Sequence, residues 1–226
     1  MFLYQKPPDG GMLYAETNLN NAFPEPFNTI TSCFFLAIAI YWTIKLKGKA
    51  KEHIFLTIAV IFLYIGGVGG TIYHGLRQWR FFIMMDWLPI MLLCVAAGVY
   101  FLGRVTKWYN AVLFVVLYIC FQVFARNHMQ DGNDIQLFIN INYAILAGMV
   151  LFPVFAFLVT TNFKNGKWVS FALLAFIFAL LFRVSDGKYF LESGTHFLWH
   201  TFGAIAAFCM FQYIYLVNEK HLEPQL

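Results

Sequence analysis

The feature that most constrains this chain is its division into seven apolar blocks, each about as long as a bilayer is thick. They cover residues 27–44, 54–73, 81–102, 108–125, 135–159, 168–184 and 196–217. A helix crossing the hydrocarbon layer needs roughly 17 to 25 residues. The blocks are apolar all round, whereas a helix on a water-soluble core shows one apolar and one polar face. Composition points the same way: 61% of the 226 residues are hydrophobic and 12% are charged. Soluble domains average about 25% charged residues, and one core could not hide this much apolar surface. The expected fold is an all-α membrane protein, a seven-transmembrane helix bundle forming a single domain over residues 1–226. The sixth block is the shortest. The connections are short and polar, so sequential helices should run antiparallel, and residues 1–26 form a polar N-terminal segment.

The basic residues suggest an orientation. With seven spans, one set of loops carries Lys45, Lys47, Lys49, Lys51, Arg104, Lys107, Lys164, Lys167 and Lys220, nine in all. The other set carries Lys6, Arg77, Arg80, Arg126, Arg183 and Lys188, six in all. Cytoplasmic loops are richer in Lys and Arg, so the N-terminus is expected outside and the C-terminus inside. The net charge of +4 comes without a basic run interleaved with aromatics, so no nucleic-acid partner is expected. The N-terminus lacks the charged start and apolar stretch of a signal peptide. Cys33, Cys94, Cys120 and Cys209 lie in separate blocks with no CxxC pair, which predicts free, packed thiols.

Ionisable residues inside a membrane span are costly and usually face partners in the protein interior. Of six histidines, His53, His128 and His221 lie in loops or at ends, where a solvated imidazole needs no explanation. His74, His196 and His200 lie within apolar blocks, and Asp86 is the acid placed well inside a span. On the expected topology all four fall at one depth, near the outer face. His196 and His200 are at i and i+4, which puts both imidazoles on one side of a helix. A packing role suits a lone intramembrane histidine. Three histidines with an acid at matching depth suit a catalytic zinc site better: three neutral imidazoles and a water, with one position open for chemistry. Asp86 would then move a proton or orient a zinc-bound histidine. Haem would also use paired histidines on different helices, but it needs no acid and would not set two of them one turn apart. A retinal protein needs a lysine in the last helix, and the last block has none.

At these residues the sequence resembles the alkaline ceramidases, within a wider superfamily of seven-helix membrane hydrolases that includes adiponectin receptors and Per1 proteins. The resemblance rests on several segments: Glu16-Thr17-Asn18 with Pro24-Glu25-Pro26-Phe27-Asn28-Thr29-Ile30-Thr31-Ser32, the glycine-rich Gly67 to His74, Asp86-Trp87-Leu88-Pro89, and His196 to His200. Phe182 to Asp186 matches more weakly. It implies a zinc-dependent amidohydrolase that cleaves the amide of ceramide or a related N-acyl lipid, taken from the membrane, to a sphingoid base and a fatty acid. His74, His196 and His200 would bind zinc and Asp86 would be the catalytic acid/base, near the outer or lumenal face. The family serine four residues before the first zinc histidine is replaced by Gly70. Thr71, about 100° further round the helix, is the neighbouring hydroxyl. The resemblance also implies calcium on the N-terminal segment, held by the carbonyl of Tyr14 and the side chains of Glu16, Asn18 and Glu25, with Leu13 where the family has its first aspartate. Two other readings are open: hydrolysis of a phospholipid or glycerolipid ester, and a non-enzymatic receptor with structural zinc.

Overall fold

A computed structural model describes residues 6–128, 132–188 and 191–219. Lys220 and His221, which entered the charge and histidine arguments, lie outside the described residues. Seven α-helices occur, each long and apolar enough to cross a membrane. They are α1 (Pro26–Lys45), α2 (Ile54–Leu76), α3 (Arg80–Val105), α4 (Trp108–His128), α5 (Gly132–Thr160), α6 (Lys167–Ser185) and α7 (His196–Glu219). Strands are absent among the described residues. In hydrocarbon a backbone must satisfy its own hydrogen bonds, which a helix does within one segment. Large apolar side chains such as Ile44, Ile58, Phe124, Phe152 and Phe155 are exposed on the helices, as lipid contact requires.

The helices match the expected blocks and run past them at several ends. The largest extension is between α4 and α5. The apolar blocks of the sequence stop at residue 125 and resume at 135, yet helical backbone continues to His128 and starts again at Gly132. Composition reports which residues suit lipid. It does not report where backbone hydrogen bonding ends, and an exposed polar residue such as Asn127 extends a helix at no solvation cost. Pro89 and Pro153 lie inside α3 and α5, as spanning helices tolerate.

The chain forms two compact units. One comprises Met1–Ile90 and Asn165–Lys220; the other is built on Met91–Lys164. In the second, Tyr118, Leu146 and Met149 form a buried cluster with Cys94, Phe114 and Phe121 packed around it. Tyr118 and Gln122 of α4 both donate to Asn142 Oδ1 of α5, at 3.1 and 2.6 Å. Such polar pairs join helices where the hydrophobic effect gives no net drive. The four cysteines are free, as their spacing suggests.

In the first unit, α1 packs on α2 and α7, and α6 on α7. The start of α3 crosses the glycine-rich part of α2 very closely. A β-carbon at Gly69 would meet the Met85 side chain and lie 2.9 Å from the backbone nitrogen of Asp86, and one at Gly66 would lie 3.6 Å from Pro89. Small residues let two backbones approach in this way. The end of the unit that carries Lys45, Lys49 and Glu219 is closed by polar links. Lys49 pairs with Glu219 at 2.8 Å, and Lys45 donates to Gln212 at 2.9 Å. His53, expected as a solvated loop residue, is instead buried there: its ring stacks on Tyr215 and Nε2 lies 3.1 Å from Glu219 Oε1. The loop position is right, but α7 covers it, which one-dimensional position cannot reveal.

The α2–α3 crossing yields a test. Gly69→Val should cost about 1–3 kcal/mol, the usual penalty for overpacking, seen as a lower melting temperature in detergent. Gly103→Ala, where a β-carbon meets nothing within 4 Å, should not lower it.

Candidate metal centre

The three histidines singled out from the sequence come together. Each offers a ring nitrogen, and these atoms lie within 4.8 Å of one another with all three residues buried. His74 comes from the last turn of α2, and His196 and His200 from the first two turns of α7. Ring centroids of His74 and His200, and of His196 and His200, are 4.8 Å apart. The Nε2 atoms of His74 and His200 are buried without a hydrogen-bond partner. An orphaned buried nitrogen is expensive, and two of them on histidines that already lie together suit a metal ligand set. The donor chemistry therefore fits zinc, which takes imidazole nitrogens tetrahedrally.

The ring of His74 is held from behind. Its Nδ1–H donates to Glu25 Oε2 at 2.5 Å, deep in the protein where both side chains are fully buried. That bond fixes the proton on Nδ1 and leaves the Nε2 lone pair for a metal, the usual outer-shell arrangement of a metal-binding histidine. Glu25 is the N-cap residue of α1, and its carboxylate is saturated. Oε1 accepts from Thr17 Oγ1 at 2.6 Å and from Arg77 Nη1; Oε2 also accepts from Asn28 Nδ2 at 3.3 Å. Burial pushes the carboxyl pKa up, but the hydrogen bond from His74 and the charge of Arg77 outweigh it, and Glu25 is held below its ordinary range.

The start of α7 is held by a second acid. Asp186 follows α6, and its Oδ1 accepts from the backbone nitrogens of Thr195 at 2.7 Å and His196 at 2.8 Å. These are amides that a helix start leaves unpaired, and a carboxylate there also meets the positive end of the helix dipole. Oδ2 accepts from Ala15 N at 3.1 Å. Gly194 is required beside it: φ is +68°, and a β-carbon would run into Asp186 and come within 2.6 Å of Ala15 Cβ. Tyr14 then stacks on His196, with centroids 3.8 Å apart. The N-terminal segment thus lies directly on the cluster.

Asp86 is also beside α2. Its Oδ1 would lie 2.5 Å from a β-carbon at position 70, and Ser32 Oγ would lie 3.1 Å from the same point. Gly70 and His74 are one turn apart on the same face of α2, so the carboxylate sits one turn below the histidine. Glycine at 70 is what leaves room for it. Thr71 serves otherwise. Its hydroxyl donates to Gly67 O at 2.7 Å and meets Cys33 Sγ of α1 at 3.4 Å, so its proton is spent on its own helix.

The residues expected to hold calcium are already engaged. Tyr14 O accepts from Thr17 N at 3.0 Å, and Asn18 Oδ1 from Asn20 N at 3.1 Å. Glu16 caps α1, taking Phe27 N on Oε1 and Asn28 N on Oε2, and Glu25 is committed as described. Glu25 has both oxygens filled and the charge of Arg77 beside it, and the three remaining residues offer too few oxygens for the roughly six to eight that calcium takes, so this donor set suits the ion poorly. Glu52, His53 and Glu219 also approach one another at the opposite end of α2, where Lys49 already pairs with Glu219.

Sequence reasoning missed the parts played by Arg77 and Asp186, and it saw Glu25 only as a calcium ligand. The available signal was an acid or arginine within a few residues of each span end on one side of the membrane. No family model matches the chain, and no curated protein matches it significantly.

The Glu25–His74 bond gives a direct test. Glu25→Gln keeps shape but weakens the acceptor, and should lower zinc affinity by about 10–100-fold in a chelator competition. His196→Ala should remove whatever zinc uptake the wild-type cluster shows, read as metal content per chain.

Proposed function

We propose that this protein is a zinc-dependent intramembrane hydrolase of an N-acyl lipid of the ceramide class, releasing a sphingoid base and a fatty acid. The observation that carries the reading is the buried cluster of His74, His196 and His200, with two orphaned Nε2 atoms and Asp86 one turn below His74. The resemblance of the surrounding segments to alkaline ceramidases supplies the substrate class.

Zinc held by the three histidines would supply a Lewis acid and lower the pKa of a bound water to about 7. The chain's own residues do the rest. Glu25 keeps the His74 ring oriented and its Nε2 unprotonated. Asp186 fixes where α7 begins, and with it the register of His196 and His200. Asp86 takes a proton from the attacking water and returns it to the departing amine, the work of one carboxylate as base and then acid. The exposed apolar faces of the helices let a lipid approach from the bilayer, so that its acyl chain never leaves an apolar medium. By the distribution of Lys and Arg, the N-terminus and the cluster belong to the outer or lumenal side.

Purified protein given labelled ceramides should release fatty acid. Asp86→Asn should lower turnover about 10²–10⁴-fold while zinc content stays at one per chain. Gly70→Ser should also lower turnover with zinc retained, because its β-carbon would displace the Asp86 carboxylate. A lipid panel read by mass spectrometry separates amide from ester cleavage. Zinc binding with no turnover of either would leave a receptor with structural zinc.

A further inference from the structure

Arg77 has a conformation and a burial that the hydrolase reading leaves unexplained. It is the C-cap of α2, with φ 53° and ψ 34°, a left-handed conformation that side chains other than glycine and asparagine seldom adopt. Its side chain is completely buried. A charge in such a place must be paired and hydrogen-bonded on all sides. Nε donates to Asp9 Oδ2 at 2.7 Å, Nη2 to Asp9 Oδ1 at 3.2 Å and to Met12 O at 2.8 Å, and Nη1 to Glu25 Oε1. The guanidinium also lies 4.7 Å from the ring centre of Tyr73 and 5.9 Å from that of Tyr14. Two carboxylates and a backbone carbonyl, drawn from a loop and from the start of α1, therefore converge on one cation. Carboxylate and carbonyl oxygens are the ligands a hard divalent ion takes, and here they are met by a planar fork that matches carboxylates two oxygens at a time.

We infer that Arg77 is the resident cation of the N-terminal segment, and that it does there what calcium would do: it ties Asp9, Met12 and Glu25 to the end of α2 with no divalent ion. The left-handed turn supports this, because it is the local cost of aiming the side chain into the segment rather than into solvent. The inference goes beyond the hydrolase reading and does not rest on it. Arg77 acts on the centre as a positioning residue, through Glu25 and the His74 ring.

Full-length protein in detergent is melted with millimolar calcium and with a calcium chelator, and its binding of terbium is read by emission sensitised through Tyr14 and Tyr73. Wild type should melt at the same temperature in both, with no terbium signal that calcium displaces. Arg77→Met should melt about 5 °C or more lower, since Asp9 and Glu25 are left buried without a counter-charge. A wild-type protein stabilised by calcium, a calcium-displaceable terbium signal in wild type, or an Arg77→Met variant that melts like wild type would each overturn the inference. If the variant does not fold, the wild-type calcium response decides alone. The readouts are independent of zinc and of turnover, so failure of the hydrolase reading leaves them intact.

Discussion

The carboxylate of Glu25 is the joint on which this end of the protein depends. It touches Arg77, His74, Thr17 and Asn28 at once, with no exposure to solvent. Burying an acid costs several kcal/mol unless it is paired and its lone pairs are filled, and here every direction is filled. The arrangement is also cooperative. Removing Arg77 would leave two acids without a counter-charge, and removing Glu25 would leave Arg77 half-paired and His74 free to rotate. Loop, helix end and histidine cluster are therefore one electrostatic unit.

The second constraint is steric. α2 meets α3 along Gly66, Gly69 and Gly70, and at 69 and 70 the approach is so close that β-carbons would strike Met85 or Asp86. Viewed as a list of residues, Gly70 is a missing hydroxyl. In three dimensions it is the space into which the Asp86 carboxylate fits, with Ser32 of α1 on the far side. Gly70 and the position of Asp86 are linked in this structure, because a β-carbon at 70 would lie 2.5 Å from the Asp86 carboxylate.

Much of the candidate centre is legible without coordinates. His74, His196, His200 and Asp86 stand out because ionisable groups inside apolar blocks need partners, and because i, i+4 spacing fixes two of them on one face. Glu25, Arg77 and Asp186 were not legible in the same way. Each sits at a span end, where a charged residue is ordinary. The pairs that give them meaning are distant in sequence: Glu25 and His74 are 49 positions apart, Arg77 and Asp9 are 68, and Ala15 and Asp186 are 171. The calcium expectation meets the same limit, since a motif places the acids but not the donors that reach them. The acids of the N-terminal segment are where the motif puts them, but a helix end brings its own cation to them.

The sequence by itself determined the class of fold and the number of spans, since the bilayer imposes length and apolarity on each crossing segment independently of the others. It also determined which histidines belong together, through helical periodicity. The tertiary structure alone decided what the polar groups at the span ends do. Whether a carboxylate binds an ion, caps a helix or orients an imidazole depends on which donor reaches it first. That is settled by how α1, α2 and α7 and the N-terminal loop pack at one end, and no local pattern encodes it.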